Sequence, residues 1–172
     1  MNNKKIEKII YDLLIELGEN PSREGLRETP KRVSKMLEEF FKPEYENTEE
    51  LVKIFEEPSF QNGIIEIKNI PFSSLCEHHM LPFMGTASIK YLPKKSSIIG
   101  LSKFARIVNH FSKGLQIQER ITNNIANFIF SKLDVKGIEV KLKAKHLCMT
   151  LRGAKALGSY TETTCLLGNL NI

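Results

Sequence analysis

Residues 74–83 read SLCEHHMLPF, which places Cys76, Glu77, His78 and His79 side by side in a chain that has four histidines and three cysteines among its 172 residues. Cysteine sulfur and histidine nitrogen are the usual protein ligands of zinc, and Cys76 and His79, two residues apart, can grip one ion from a single turn. A second group follows far downstream in the stretch HLC. His146 and Cys148 have the same parity as Ile138, Val140, Leu142 and Ala144, so continued extended geometry would point both to one side. With Cys148 as a third ligand, the fourth position stays open for water, as in catalytic zinc sites. A structural site would be closed by a fourth ligand, and His78, His146 and Cys165 are candidates for that role, so spacing leaves both arrangements open. The plain alternative is a pair of ordinary buried cysteines, a satisfied core histidine at 146 and a solvent-facing one at 78. Beside a metal, a histidine that titrates near neutrality can donate and accept protons.

The basic residues form three short sets. Lys103 and Arg106 are three apart at the start of a helical pattern and share a face. Arg152 follows the second cysteine, and Lys31-Arg32 lies in ETPKR. Any one set alone reads as a solvated surface; together, near a metal, they suit a polyanion. Gln118 and Glu119 in QIQERIT sit at a helix start, where a carboxylate can accept two N–H bonds from a guanine edge or simply favour the first helical turn.

The elements that must position these residues fall into two parts. Ile6, Ile9, Ile10, Leu13, Leu14 and Leu17 predict a helix over about 3–18, stopped by Gly18 and Asn20-Pro21. Thr29-Pro30 predicts a second helix with threonine as its cap, and Thr48 a third short one through Phe55. Pro58–Gly63 reads as a linker. From Gly63 the period becomes that of strands, in GIIEIKNI and GTASIKYLP, with the Cys-Glu-His-His motif on their connection. Two helices follow, the first capped by Ser102; then come a clean alternating strand from Ile138 and a last strand in SYTETTC. The expectation is an α+β chain: an N-terminal helical region over 1–60, then two strands, two helices and two strands over 61–172. A four-stranded antiparallel sheet covered on one face leaves open edges and predicts joining of sheets between subunits.

Bulk properties agree. The apolar fraction of 41% supports a packed core, and 25 basic against 20 acidic residues give a mild excess of +5. No long basic run marks a nucleic-acid arm, and no stretch is long and apolar enough to span a bilayer. Three cysteines without a leader predict a reducing, cytoplasmic setting.

In order and spacing, ETPKRV, SLCEHHMLPF, IGLSKFARIV, QIQERIT and HLCMTLRGA resemble the motifs of the GTP cyclohydrolase I family. The resemblance runs from about Leu13 to the end of the chain. It implies hydrolysis of GTP to formate and dihydroneopterin triphosphate, the entry to folate and other pterins. It also implies the tunnelling fold, with strands of five subunits closing a barrel and two rings forming a homodecamer. Cys76, His79 and Cys148 match the zinc ligands, and His78 and His146 the acid/base histidines. Lys103, Arg106 and Arg152 match triphosphate contacts, with Arg32 reaching a neighbouring subunit's site. Glu119, assisted by Gln118, matches the guanine anchor, and Ser102 the residue near the sugar. Two departures stand out: Lys113-Gly114-Leu115 replaces an Arg-Arg-Pro-like run, and Cys165 lies in a short tail that lacks a late arginine. Rival readings are a nitrile reductase of the same fold, which would have no catalytic zinc, and a zinc-stabilised nucleic-acid module, which would close its site with four ligands.

Overall fold

The computed structural model describes residues 1–60 and 63–171. Two positions of the expected Pro58–Gly63 linker, 61 and 62, lie outside the described residues. The chain forms two compact units, Met1–Pro43 and Glu44–Ile172. Residues 44–60, grouped with the N-terminal helices on sequence pattern, belong to the second unit.

The first unit is a helical pair. Helix α1 spans Asn3–Glu16 and begins where the Asn2 side chain accepts a bond from the Lys5 amide at 3.1 Å. It ends at Gly18, whose φ of 80° suits glycine and lets the Glu19 amide reach back to Leu14 O at 2.9 Å. Helix α2 spans Thr29–Phe41 with Pro30 in its first turn. Thr29 is already helical and does not cap it; Glu28 holds that position and makes no side-chain capping bond. The two helices meet through polar contacts, Ser34 Oγ donating to Asn3 O at 3.2 Å and Asn3 Nδ2 to Glu38 Oε2 at 2.8 Å. Arg32 is exposed on α2.

The second unit is α+β. The expected third helix shrinks to a single 3-10 turn, Thr48–Leu51, capped by Asn47 rather than Thr48. It stops because Ile54–Glu56 (β1) pairs antiparallel with Ser97–Ile99 (β4). The main sheet contains Ile65–Cys76 (β2), Pro82–Pro93 (β3), Leu115–Gln116 (β5), Val135–His146 (β6) and Thr161–Gly168 (β7), in the order β5-β2-β3-β6-β7. It is thus five-stranded: the four expected strands are antiparallel neighbours, and β5 adds a short parallel pairing of Leu115 with Leu75 and Gln116 with Cys76.

Alternation builds the layers. Phe83, Ala87, Ile89 and Tyr91 on β3 and Ile138, Val140, Leu142 and Ala144 on β6 turn inward and are buried. Against them pack Phe104, Ile107 and Val108 of helix α3 (Leu101–Phe111) and Ile121, Ile125 and Ile129 of helix α4 (Gln118–Lys132). Each fully buried aliphatic or aromatic side chain of this kind contributes about 1.5–3 kcal/mol. The opposite face exposes Lys141, Lys143 and Lys145. Gly85 permits the closest strand approach: a Cβ there would sit 1.9 Å from Lys143 O.

Candidate metal centre and active site

The Cys-Glu-His-His stretch lies where β2 ends and the chain turns back into β3. Two backbone bonds close that turn, Met80 N–H to Cys76 O at 2.8 Å and Cys76 N–H to Leu81 O at 2.9 Å. Met80 adopts φ 53°, an uncommon conformation for a residue with a side chain. From outside, the Glu77 amide donates to Gln116 O at 3.0 Å, so β5 fixes the start of the turn. Arg120 of α4 holds the Glu77 carboxylate at 2.8 Å, and that bond keeps the carboxyl below the ordinary glutamate range. The other Glu77 oxygen lies 3.9 Å from His78 Nε2.

Cys148 arrives differently from the way alternation predicts. Strand β6 stops at His146, and Leu147–Thr150 form one helical turn, α5. Shared strand parity therefore does not carry Cys148 to the site; the helical turn does. The ligand atoms of Cys76, His79 and Cys148 lie within 4.8 Å of one another. Burial, and then the neighbouring Cys76, push the Cys148 thiol up. Two thiols and an imidazole converging at a corner where Cys76 is buried, Cys148 half-buried and His79 exposed form a soft donor set in which a cation would stabilise both thiolates. The residues present therefore fit a metal ion. His78 Nδ1 lies 3.8 Å from Cys76 Sγ, with most of its side chain in solvent. Arg152 approaches the same corner, its Nη1 3.2 Å from His79 Nε2.

His146 stands at the last position of β6. Its ring stacks on Phe83, with centroids 4.5 Å apart and planes 4° from parallel. Its Nε2 lies 2.9 Å from Gln118 Oε1 at the start of α4. Burial lowers its pKa, and the charge of Glu119 partly offsets this. Glu119 opens on a depression shared with Thr122, Asn123, Thr163 and Thr164.

The cations of α3 form a separate cluster. Lys103 Nζ donates to Glu50 O at 2.7 Å, and Arg106 donates to the Tyr45 hydroxyl. The Tyr45 ring lies 5.8 Å from Lys103 Nζ and 5.4 Å from the Arg106 guanidinium carbon. Ser102 is exposed in the first turn of α3, where Gly100, not Ser102, occupies the cap position. The structure thus unites Cys76, His79, Cys148, His78 and Arg152 at one corner and His146, Gln118 and Glu119 beside α4. It gathers Lys103 and Arg106 around Tyr45. Sequence reasoning assigned no role to Tyr45, Arg120 or Phe83. Arg120 and Glu77 lay inside quoted motifs and differ in charge, which is a usable signal; Tyr45 offered none.

An α+β sheet thus carries a Cys-His-Cys corner able to hold a metal ion, with His78 at its edge. A structure of archaeosine synthase QueF-Like in the apo form shares the fold, with a TM-score of 0.51 and 13% identity, covering 64% of this chain and 98% of that one. The chain belongs to the GTP cyclohydrolase I family, whose model matches residues 6–171. GTP cyclohydrolase 1 of Caldanaerobacter subterraneus subsp. tengcongensis is 48% identical over 168 residues, covering 98% of this chain and 89% of that protein. The protein of the same name from Thermoanaerobacter pseudethanolicus is 47% identical with the same coverage. The bifunctional protein FolKE of Lactococcus lactis subsp. cremoris is 46% identical over 95% of this chain and 47% of its own length.

Proposed function

We propose that this chain is a zinc-dependent GTP cyclohydrolase I that converts GTP to formate and dihydroneopterin triphosphate, the first committed step towards tetrahydrofolate and other pterins. The observation that carries the reading is the convergence of Cys76, His79 and Cys148, with His78 Nδ1 3.8 Å from Cys76 Sγ and His146 two residues before Cys148 at the end of β6. Cys76, His79 and Cys148 would hold the zinc, which when bound would supply Lewis-acid activation of water for the hydrolysis. The chain's own residues do the rest. Glu119 anchors the guanine edge at the mouth of the depression it lines. His146, held against Phe83, exchanges a proton with the opening imidazole ring of the base. His78, its side chain 65% exposed, serves the second proton transfer. Lys103, Arg106 and Arg152 hold the triphosphate, Ser102 lies near the sugar, and Arg32 reaches a neighbouring subunit's site.

The exposed lysine face of the sheet and the position of β7 at its edge among the described residues support assembly into a barrel of subunits and a homodecamer of two rings. None of the helices among the described residues is long and apolar enough to cross a membrane. The proposed setting is the cytoplasm, with GTP as small-molecule partner and no nucleic acid or membrane partner.

The test is GTP turnover by the metal-loaded protein, read as formate release and as the ultraviolet absorption of the pterin product. Turnover should vanish on chelation and return with zinc. A protein that holds one zinc per chain and yields no formate from GTP overturns the reading.

A further inference from the structure

Gln118 is buried, with 1% of its surface exposed, and its amide is fully occupied. Its Nε2 faces three oxygens: Leu142 O at 3.0 Å, Thr161 O at 3.1 Å and Thr163 Oγ1 at 3.1 Å. Two of these are backbone carbonyls, which only accept. The amide is therefore oriented without ambiguity: its NH2 group points into the sheet and its oxygen points at His146. An amide oxygen also only accepts. The 2.9 Å contact from His146 Nε2 to Gln118 Oε1 can be a hydrogen bond only if Nε2 carries a proton. In the neutral ring the other nitrogen, Nδ1, is then the bare one.

We propose that Gln118 is a positioning residue that holds His146 as the Nε2–H tautomer, leaving Nδ1 as the bare ring nitrogen. The stack on Phe83 fixes the plane of the ring, and Gln118 fixes which edge carries hydrogen. A second layer keeps Gln118 itself in place: Thr122 Oγ1 donates to Gln118 O at 2.9 Å and lies 2.6 Å from Thr163 Oγ1. Two strands, β6 and β7, thus read out their register through one side chain to one histidine. This departs from the guanine-assisting role that family resemblance gives Gln118, since both its amide protons are spent on the protein. The inference rests on the proposed acid/base role of His146 for its kinetic consequence; the tautomer itself does not depend on that role.

The first measurement uses the unaltered, zinc-loaded protein. Solid-state nitrogen NMR of sedimented protein labelled only at its four histidines reports which ring nitrogen is protonated, with the His146 signal assigned by its loss in His146→Ala. A neutral ring protonated at Nε2 is expected; a ring protonated at Nδ1 overturns the proposal whether or not any variant folds. The second measurement is Gln118→Met, which keeps the length of the side chain and removes the acceptor. Its His146 signal should lose the single Nε2–H form, and kcat should fall roughly 100-fold, towards the His146→Ala value, with the KM for GTP within about twofold. A rise in KM at unchanged kcat would mean that Gln118 contacts the base instead. An unaltered tautomer with unaltered kcat would leave Gln118 merely structural. If wild-type protein shows the Nε2–H ring but forms no formate, the functional reading fails and the tautomer assignment stands.

Discussion

The metal corner and the α3 cation cluster are built to opposite standards. At the corner, Cys76 is 6% exposed, and two backbone bonds, a short parallel strand and an ion pair from α4 all hold its turn. Around α3, Lys103 and Arg106 keep company with one tyrosine ring and one carbonyl. The difference follows from the ligands each would hold. Soft donors must share one ion at bond length, so small displacements are ruinous. Cations that meet a flexible triphosphate work at longer range and in water, and a phenol and a carbonyl are partners that phosphate oxygens can replace.

Three substitutions would break or sharpen this contrast, and a fourth, read as a pH titration, probes a residue outside it. The largest effect is expected at Cys148→Ser, which should lose zinc and turnover together. Even partners one shell further out are worth ~10- to 100-fold, so the activity loss should exceed that range. A Cys148→Ser protein that is metal-free and fully active would sink the assignment. Arg106→Ala should raise the KM for GTP roughly tenfold or more, the size of one charge-assisted hydrogen bond, with zinc content intact. Steady-state kinetics beside metal analysis checks this, and an unchanged KM would remove Arg106 from the triphosphate site. Arg120→Ala links the two regimes, because its pair with Glu77 lies at the surface yet holds the ligand turn. Exposed pairs contribute little stability, so the melting temperature should scarcely move while zinc affinity, measured by chelator competition, falls roughly tenfold. Equal losses in both would make the pair an ordinary brace.

The smallest effect concerns a histidine in neither region. Burial depresses the His110 pKa, and its Nδ1 is buried without a hydrogen-bond partner among the described residues. The unfolded chain therefore binds that proton more readily than the folded one. Stability attributable to neutral His110 is complete above its ordinary pKa of about 6.5 and declines as pH falls from there towards the depressed folded value. His110→Phe should flatten that part of a melting-temperature profile between about pH 7 and 5; an identical slope would refute the attribution.

How far the sequence could be read depended on whether a feature was periodic or chemical. The alternation of Ile138 to Ala144 against lysines announced β6 and its inward face, and the residue types of Cys76, His79 and Cys148 announced the ligand trio. Strand β5 was illegible because two residues carry no period, and their pairing with Leu75 and Cys76 is a tertiary event. The helical turn at Leu147–Thr150 was hidden by the preceding alternation, which extrapolates smoothly past the point where the backbone changes. The third short helix failed for a related reason: Ile54–Glu56 was claimed by a partner strand more than forty residues away. Gln118 was seen as a polar residue at a helix start, but its partners lie on β6 and β7, which no local pattern reveals.

The short parallel contact between β5 and β2 also orders events in time. The β2–β3 hairpin closes locally through the five residues after Cys76, whereas β5 must return across β3, β4 and α3 before Gln116 meets Cys76. Closing the longer loop costs more chain entropy, and contacts distant in sequence form late. Cys148 comes later still along the chain. A nascent polypeptide therefore presents Cys76 and His79 as an incomplete claw while most of the sheet is unmade, and the third thiol closes it only when β6 has docked. Maturation of the corner is in this sense a report that the sheet has formed as far as β6.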